Sequence, residues 1–358
     1  MNRRTVLVGA GVALVAAGTG VAAWQAATGS MAEYETFAAG LRSQLTPDLQ
    51  AVVRYATLAA NSHNTQPWRF RFDGQAIEIR PDFQRRTPVV DPDDHHLYVS
   101  LGCAAANLAL AAAATGRPGE ASLTADGVRY DYVTDVPKVD PLVDAISKRQ
   151  STRAEYDGRA IPPADLAELE RTAAAPGVSL ALVTDRVRMK RVRDLVLAGN
   201  QDQMNDPAFM RELKQWIRFN PRSAMARGDG LFSASSGNPA LPTGLGRIAF
   251  DRLFDVAREN RNYARQIDSS AGVAIFFGER PDHDHWIRVG QACQRFALAA
   301  TKLGLKVAFI NQPVEVARLR ADLAAIVGET RRPDLAMRFG YGPTLPFSPR
   351  RPVVSVIV

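Results

Sequence analysis

Polar side chains crowd one short segment, Asn61-Ser62-His63-Asn64-Thr65-Gln66-Pro67-Trp68. The surrounding pattern predicts a helix over Leu49 to Ala60 before it and a strand from about Trp68 to Phe72 after it. Amide and hydroxyl groups can hydrogen-bond the edge of a flat heterocycle without carrying charge. The candidate binding residues are Ser62, His63, Asn64 and Gln66. A capped turn anchored by a buried Trp68 is the alternative, but it does not account for the two amides together.

A second candidate segment is basic, Arg149-Gln150-Ser151-Thr152-Arg153. Residues four apart lie on the same side of a helical turn, so the spacing predicts that Arg149 and Arg153 face one way with Ser151 between them. Two guanidinium groups and a hydroxyl suit the binding of a phosphate group. A solvated basic turn without a ligand is the alternative interpretation.

The chain resembles itself at an offset of 188 residues. Gly102 to Gly116 aligns without gaps with Gly290 to Gly304, and seven of these fifteen positions are identical. Each copy starts after an acidic residue, continues through small residues and ends at glycine, which is typical of a long helix. Because alanine along a helix permits close approach, we expect the two helices to form a central pair.

Histidines occur at the start of both predicted helices, as His95-His96 and as His283-Asp284-His285. Such clusters resemble metal ligands. However, His95 and His283 align in the repeat, so a capping or first-turn role accounts for both, and no metal site is predicted. The chain also lacks a convincing triad or carboxylate pair, so no catalytic residue is predicted.

Strands are predicted before both copies of the long helix, at Ala76 to Arg80 and at Gly272 to Phe277. Proline and acidic residues at Thr46-Pro47-Asp48 and at Pro162-Pro163 indicate the starts of two further helices. The predicted fold class is therefore α+β, with two helix-covered sheets related by an approximate two-fold axis.

Taken together, these segments resemble the nitroreductase family from about Leu45 to the C-terminus. In that family an R-x-S-x-R/K element holds the FMN phosphate, and an S-x-N-x-Q-P-W loop lies against the flavin from the partner subunit. The segment Phe309-Ile310-Asn311-Gln312-Pro313 and the ending Pro349-Arg350-Arg351-Pro352 extend the resemblance. The resemblance implies a nitroreductase-like fold and two-electron transfer from NAD(P)H, through FMN, to nitro compounds, quinones or similar small acceptors. The FMN-binding residues that it implies are Arg149, Ser151, Arg153, Ser62, His63, Asn64, Gln66, Asn311, Gln312, Arg350 and Arg351.

The order of the motifs differs from that in an ordinary nitroreductase subunit, because the amide loop precedes the basic segment. The first half has the amide loop but no phosphate-binding segment. The second half has the phosphate-binding segment, Arg149 to Arg153, but no amide loop. This arrangement is similar to the tandem, fused-dimer branch of the family, the Acg-type flavoproteins. It implies an intramolecular pseudo-dimer with one complete site. We assign residues 31–140 to the first half and residues 141–358 to the second half.

A stretch rich in glycine, serine and proline, Trp216 to Arg247, is predicted to be a mobile loop. In the Acg-type branch the corresponding insertion looks like a lid over the flavin. A closed lid would make the protein an FMN-binding module with little or no turnover, which is the alternative to an enzyme. A scaffold without a cofactor is a third alternative, and the complementary halves argue against it.

Residues 1–30 are predicted to be an export signal. Arg3-Arg4 directly precedes the apolar run Val6 to Ala23, which is the twin-arginine pattern. A dinucleotide-binding fingerprint at Gly9 and Gly11 is the competing interpretation, and it fails because Leu14 stands at the third glycine position. We therefore expect the twin-arginine machinery to export the protein to the periplasm. If the segment is kept as an anchor, the protein stays on the outer face of the cytoplasmic membrane.

The overall composition argues against other classes of partner. The net charge of +7 comes from interspersed basic and acidic residues, and no nucleic-acid-binding signature occurs. Beyond the N-terminus, no apolar run is predicted to cross a membrane. The two cysteines, Cys103 and Cys293, are predicted to act as small buried hydrophobic residues within helices.

Overall fold

The computed structural model describes residues 22–125 and 127–358. The twin-arginine motif lies outside the described residues. The strands are β1 (Trp68–Asp73), β2 (Ala76–Pro81), β3 (Gly119–Thr124), β4 (Gly127–Tyr132), β5 (Val178–Val183), β6 (Ile217–Arg218), β7 (Leu231–Phe232), β8 (Gly272–Gly278), β9 (Lys306–Phe309) and β10 (Leu335–Gly340). The α-helices are α1 (Met31–Leu41), α2 (Leu49–Thr57), α3 (His95–Ala114), α4 (Val143–Ile146), α5 (Pro163–Ala173), α6 (Arg186–Asn205), α7 (Pro207–Trp216), α8 (Pro221–Arg227), α9 (Thr243–Leu253), α10 (Val256–Asp268), α11 (His283–Lys302), α12 (Gln312–Glu315) and α13 (Arg320–Ile326).

Two four-stranded antiparallel sheets have the same strand order. The first is β1-β2-β4-β3 and the second is β5-β8-β10-β9. In each, a helix precedes the first strand, and the long helix α3 or α11 connects the second strand to the third. The α+β fold class and the strands expected before both long helices are confirmed.

The predicted central helix pair is confirmed, because α3 and α11 cross in backbone contact. A Cβ atom placed on Gly102 would lie 1.9 Å from the Ile287 carbonyl oxygen, and one placed on Gly290 would lie 2.0 Å from that of Val99. The main hydrophobic core surrounds this crossing and includes side chains from both sheets. Glycine at both positions therefore sets how closely the two halves can pack.

By length and composition alone, helix α3 could cross a membrane. This corrects the expectation that no apolar run beyond the N-terminus is long enough to do so. Most of it, 83% of the apolar window, is buried inside the protein. A core helix in contact with protein on all sides has this composition, so its apolar character is explained by burial.

The ends of the long helices differ in how they are capped. Asp282 accepts a hydrogen bond from the His285 backbone and caps α11 as expected. Asp94 does not cap α3, because its backbone is left-handed (φ 58°) and its carboxylate pairs with Arg86. Asp91 replaces it, accepting hydrogen bonds from two backbone amides of the first turn at 3.0 Å each.

A long insertion distinguishes the second half from the first. Strands β1 and β2 are joined by the two residues 74–75, whereas residues 184–271 separate β5 from β8 and contain α6 to α10. The C-terminal tail then crosses to the first sheet, where the Phe70 backbone exchanges hydrogen bonds with Val356 and Val358 at 2.8 and 2.9 Å. The insertion and the tail meet on the loop that carries the predicted amides.

Candidate functional site

A cavity of about 500 Å³ lies where the two halves and the insertion meet. The first half contributes Ser62, His63 and the α3 residues Val99 and Cys103. The second half contributes Arg153, Asn311, Gln312 and Glu315 to the wall. The insertion adds apolar side chains: Phe209, Leu213, Phe219, Leu231, Phe232, Phe250 and Phe254. The insertion also contributes polar side chains, among them Arg258, Glu259 and Asn262, so polar and apolar groups line the cavity together.

The amide loop has an unusual backbone. His63, Asn64 and Gln66 all have positive φ angles, of 46°, 54° and 55°. Such conformations cost non-glycine residues about 1–3 kcal/mol each and persist where surrounding contacts impose them. The Asn61 side-chain oxygen accepts a hydrogen bond from the Gln66 backbone at 2.8 Å and closes the turn. The loop thus directs Ser62 and His63 towards the cavity.

Asn64 does not face the cavity, contrary to the expectation that it would meet a ring edge. Its amide nitrogen donates to the carbonyl oxygens of Gly230 and Pro349, both at 3.0 Å. Its side-chain oxygen accepts a hydrogen bond from the Arg350 guanidinium at 2.7 Å. Asn64 therefore fastens both the insertion and the tail to the loop.

Gln66 has the same kind of role and also lies away from the cavity. Its amide nitrogen donates to the Gly228 carbonyl at 2.8 Å, and its oxygen accepts from the Arg351 backbone at 2.9 Å. Trp68 is fully buried beneath the loop, as expected of an anchor. The polar composition of the segment thus reflects long-range fastening as well as the cavity lining.

The basic segment is extended, so the predicted helical turn is wrong. Ser151 forms an isolated parallel bridge with Val307, and the Thr152 backbone donates to the Val307 carbonyl at 2.8 Å. Arg153 lines the cavity. Arg149 is buried outside the cavity and donates to the Leu58 carbonyl at 2.8 Å. The two guanidinium groups therefore do not form one phosphate-binding site.

The fully buried Arg338 on β10 positions the cavity arginine. Its guanidinium donates to the carbonyl oxygens of Thr152 and Ala154, at 3.1 and 2.8 Å, on either side of Arg153. It also lies 4.1 Å from the centre of the Tyr156 ring. The motif analysis gave this residue no role, and a charged residue within an apolar strand was the available signal.

The tail arginines are buried behind the amide loop. Arg350 donates to the carbonyl oxygens of Thr57, Leu58 and Ala59, where α2 ends. A cation at the C-terminus of a helix is favourable because the helix dipole is negative there. Arg351 donates to the Ser355 carbonyl at 2.8 Å. Neither arginine lines the cavity, although Arg350 holds the loop that does.

The segment after β9 contributes two amides to the cavity. The Asn311 side-chain oxygen accepts a hydrogen bond from the Ala336 backbone at 2.9 Å, which fixes the loop against β10. Gln312 opens the short helix α12. Its side-chain oxygen is buried without a hydrogen-bond donor among the described residues, so it is free to accept one from a ligand.

A carboxyl group missed by sequence reasoning, that of Glu315, also lines the cavity. Burial raises its pKa to about 7, and the carboxylates of Asp91 and Glu212 add to the rise. Gln203 donates to it at 2.5 Å, and the His96 ring nitrogen lies 3.7 Å away. Burial holds the pKa of His96 well below its usual range. Below about pH 7 both groups are therefore largely uncharged despite their short separation, and Glu315 ionises as the pH rises through 7.

The histidines at the helix starts have separate structural roles. His95 is buried with its ring nitrogen 3.0 Å from an Asp334 carboxylate oxygen. His283 stacks on Tyr98, with ring centres 3.8 Å apart. Within residues 22–125 and 127–358, no cluster of ligand-type side chains could hold a metal ion.

The Trp216 to Arg247 segment contains regular secondary structure, which its composition did not indicate, and its mobility stays a prediction. It contains β6, α8, β7 and the start of α9. The Phe232 ring lies 4.3 Å from the Tyr34 ring and is buried. A Cβ atom on Gly230 would lie 2.3 Å from the Trp216 carbonyl oxygen, so this glycine permits a fixed close contact rather than a hinge. The segment does line the cavity.

Residues 146–341, just over half of the chain, match the model of the nitroreductase family. The chain is 29% identical over 334 residues to "Putative NAD(P)H nitroreductase Rv3131" of Mycobacterium tuberculosis, covering 87% of this chain and 92% of that protein. It is 23% identical over 326 residues to "Putative NAD(P)H nitroreductase acg" of the same organism, covering 86% and 94%.

Solved structures of similar proteins include two flavin enzymes. One is a nitroreductase with bound FMN from Bacteroides fragilis, with 18% identity over 57% of this chain and 90% of that chain, and a TM-score of 0.37. The other is the FMN-dependent nitroreductase NfnB from Mycobacterium smegmatis in complex with NADPH, with 16% identity, coverage of 55% and 86%, and a TM-score of 0.38.

Proposed function

Because the chain belongs to the nitroreductase family, we propose that it is an FMN-dependent NAD(P)H oxidoreductase. Its acceptors are nitro compounds, quinones or similar small molecules, reduced by two electrons. The observation that carries this proposal is the cavity between the halves, where an arginine from one half faces a polar loop from the other. The relatives bear the name NAD(P)H nitroreductase, and NfnB is described with FMN and NADPH.

The residues around the cavity fit FMN. Its volume lies in the usual range of cofactor pockets, about 300–1,000 Å³. Arg153 has no carboxylate partner within 4 Å in the described part of the chain, which leaves its charge available for a phosphate. Ser62, His63, Asn311 and Gln312 supply neutral hydrogen-bonding groups for a ring edge. FMN supplies the redox chemistry when bound, and the protein supplies placement and charge.

The remaining candidate residues act by positioning in this proposal. Asn64 and Gln66 hold the loop that presents Ser62 and His63, with Arg350 and Arg351 as their partners from the tail. Ser151 keeps the extended segment in register with β9, so that Arg153 points into the cavity.

The arrangement also supports a tandem pseudo-dimer with one FMN per chain. Both sheets share one strand order, and the two long helices meet at equivalent glycines. The amide loop occurs once in the chain, and so does the basic segment that carries Arg153. One site built from both halves follows from this inventory.

Flavin content tests the proposal. The purified chain should show a flavin absorption spectrum with one FMN per chain, and anaerobic NADH or NADPH should bleach it. Arg153→Ala should weaken FMN binding about ten- to a hundredfold, because a charge-assisted hydrogen bond contributes about 1.5–3 kcal/mol. Arg171→Ala, which removes an exposed arginine, should bind FMN normally. A colourless protein, or two FMN per chain, would contradict the proposal.

A covered FMN-binding protein with little turnover is the second candidate, favoured by the insertion over the cavity. The two candidates differ in access to the flavin. Dithionite, a small reductant, should bleach the flavin in both cases. Fast reduction by NAD(P)H with turnover of a nitroaromatic or quinone supports the enzyme. Reduction by dithionite alone supports the covered protein.

The cellular location is a separate proposal that rests on Arg3 and Arg4 before the apolar run. The twin-arginine route exports proteins that are already folded, which suits a flavoprotein loaded in the cytoplasm. Changing both arginines to lysine should retain a folded, flavin-containing protein in the cytoplasm. Cell fractionation measures where the variant accumulates. Normal export would show that the two arginines are not the export signal.

A further inference from the structure

The two cysteines meet at the crossing of α3 and α11, one from each half. A Cβ atom on Gly290 would lie 3.0 Å from the Cys103 backbone nitrogen. The Cys103 thiol donates to the Gly290 carbonyl at 3.2 Å. Cys293 lies one helical turn beyond Gly290 on the same helix. Burial raises the pKa of the Cys293 thiol well above its ordinary range, the neighbouring Cys103 side chain adds to the rise, and the Arg149 guanidinium opposes it. Two thiols far apart in the sequence are therefore neighbours.

Only one of the two cysteines borders the cavity, and it is 1% exposed. Cys103 forms part of the cavity wall beside Val99 and Ser100. Cys293 is fully buried and is not part of that wall. A reagent that enters the cavity therefore meets Cys103 first, with Cys293 directly behind it.

A buried cation accompanies the pair. Both thiols lie within electrostatic reach of the Arg149 guanidinium, and they oppose the lowering of its pKa that burial causes. Arg149 has no carboxylate within 4 Å in the described residues, and its Nε atom has no acceptor there. An unpaired charge in the interior is strongly unfavourable, and a neighbouring thiolate would relieve it. Packing of inert cysteines does not account for this arginine.

We propose that Cys103 and Cys293 form a redox-active dithiol that closes to a disulfide by exchange with a small disulfide in the cavity. The Cys103 thiolate attacks one sulfur of the disulfide RSSR, which forms a mixed disulfide and releases RS⁻. The Cys293 thiol then gives up its proton and attacks the Cys103 sulfur, and the second RS⁻ leaves and takes up a proton to become RSH. The two protein thiols lose two electrons and two protons in total, and RSSR becomes two RSH. The product links the two halves covalently.

Dithiodipyridine tests this in the purified protein, both with FMN bound and after removal of FMN from the cavity, because each exchange step releases a thiopyridone that is followed by its absorbance. The wild-type chain should release two thiopyridones, keep no reagent, and show an intact mass lower by two hydrogens. Since the chain has only two cysteines, this mass identifies the bond. Failure of the FMN-free protein to react, or a stable mixed disulfide on Cys103 with Cys293 still free, would overturn the proposal.

Three variants separate the roles of the groups. Cys293→Ser should release one thiopyridone and retain the reagent on Cys103, whereas Cys103→Ser should react at least tenfold more slowly. Arg149→Gln should slow both exchange steps, because the buried cation that favours a thiolate is lost, and the exposed Arg171→Gln should leave the rates unchanged. Equal reactivity of both single-cysteine variants would contradict the order of attack. Unchanged rates in Arg149→Gln would contradict the role of the cation.

Discussion

Glu315→Gln should change the stability of the protein in a way that depends on pH. The unfolded chain releases the Glu315 proton near the ordinary pKa of 4.5, whereas the folded chain holds it until about pH 7. Between these values the folded state binds more protons, so the contribution of Glu315 to stability is lost as pH rises. Glutamine keeps the shape of the neutral carboxyl and cannot ionise, so the variant escapes this loss.

The expected size follows from the displacement of the pKa. Moving it from 4.5 to about 7 corresponds to about 3 kcal/mol, at about 1.4 kcal/mol per pH unit. Gln203 can still donate to the glutamine oxygen, so the hydrogen bond at 2.5 Å does not offset the effect. The variant should match wild type near pH 5 and exceed it by up to about 3 kcal/mol above pH 8.

Thermal and denaturant unfolding across pH 5 to 9, with saturating FMN, would measure this difference. Glu170→Gln is the matched control, because that side chain is exposed and should show no pH-dependent difference. A constant difference between Glu315→Gln and wild type would refute the reasoning. It would mean that Glu315 is ionised in the folded protein throughout this range, paired with a protonated His96.

Three further outcomes are expected. Gly102→Ala should destabilise the protein by about 3 kcal/mol in denaturant unfolding, because a methyl group there meets backbone on α11, whereas Gly244→Ala has open space and should be neutral. Asn64→Ala should cost about 3 kcal/mol and increase proteolysis of the insertion, because it leaves buried partners on the insertion and tail unsatisfied; unchanged protection would exclude the fastening role. His283→Ala should retain FMN and should bind as much zinc as wild type in a zinc-binding assay, because His283 stacks on Tyr98. Loss of a bound metal in this variant would contradict the structural role of His283.

The sequence predicted those features that depend on local pattern. Acidic residues, alanine runs and bounding glycines indicated two long helices, and the repeat indicated that they would meet. The polar loop after α2 was identified because its composition was unusual for a connection. These signals are properties of single segments, so they are readable without knowledge of the tertiary structure.

The backbone conformation of a segment, and its hydrogen-bond partners elsewhere in the chain, were less predictable from the sequence. The spacing of Arg149, Ser151 and Arg153 suits one helical turn, but alternate residues of an extended chain also share a side. Pairing with β9 decides in favour of the extended form. The partners of Asn64 lie on the insertion and on the tail, more than 160 residues away, and carbonyl acceptors leave no mark in a sequence.

The regular secondary structure of the insertion was missed although its signals were present. Asn220 caps α8, Pro221 occupies its first turn, and Gly228 ends it in a left-handed conformation. These are ordinary start and stop residues of a short helix. These helix signals were missed because proline and glycine were interpreted only as signs of a loop.

The proposed single site per chain has a physical basis in the two corresponding connections. The first half joins α2 to β1 through residues 58–67, which is long enough to fold into the amide loop. The second half joins α5 to β5 through only residues 174–177. Gly177 in that turn lies against His285 of α11, so that a Cβ atom there would be 3.2 Å from the imidazole ring. The short turn occupies the surface of its long helix directly, which leaves no room for a second polar loop. The asymmetry of these connections is therefore the physical reason to propose an FMN site on only one side of the helix pair.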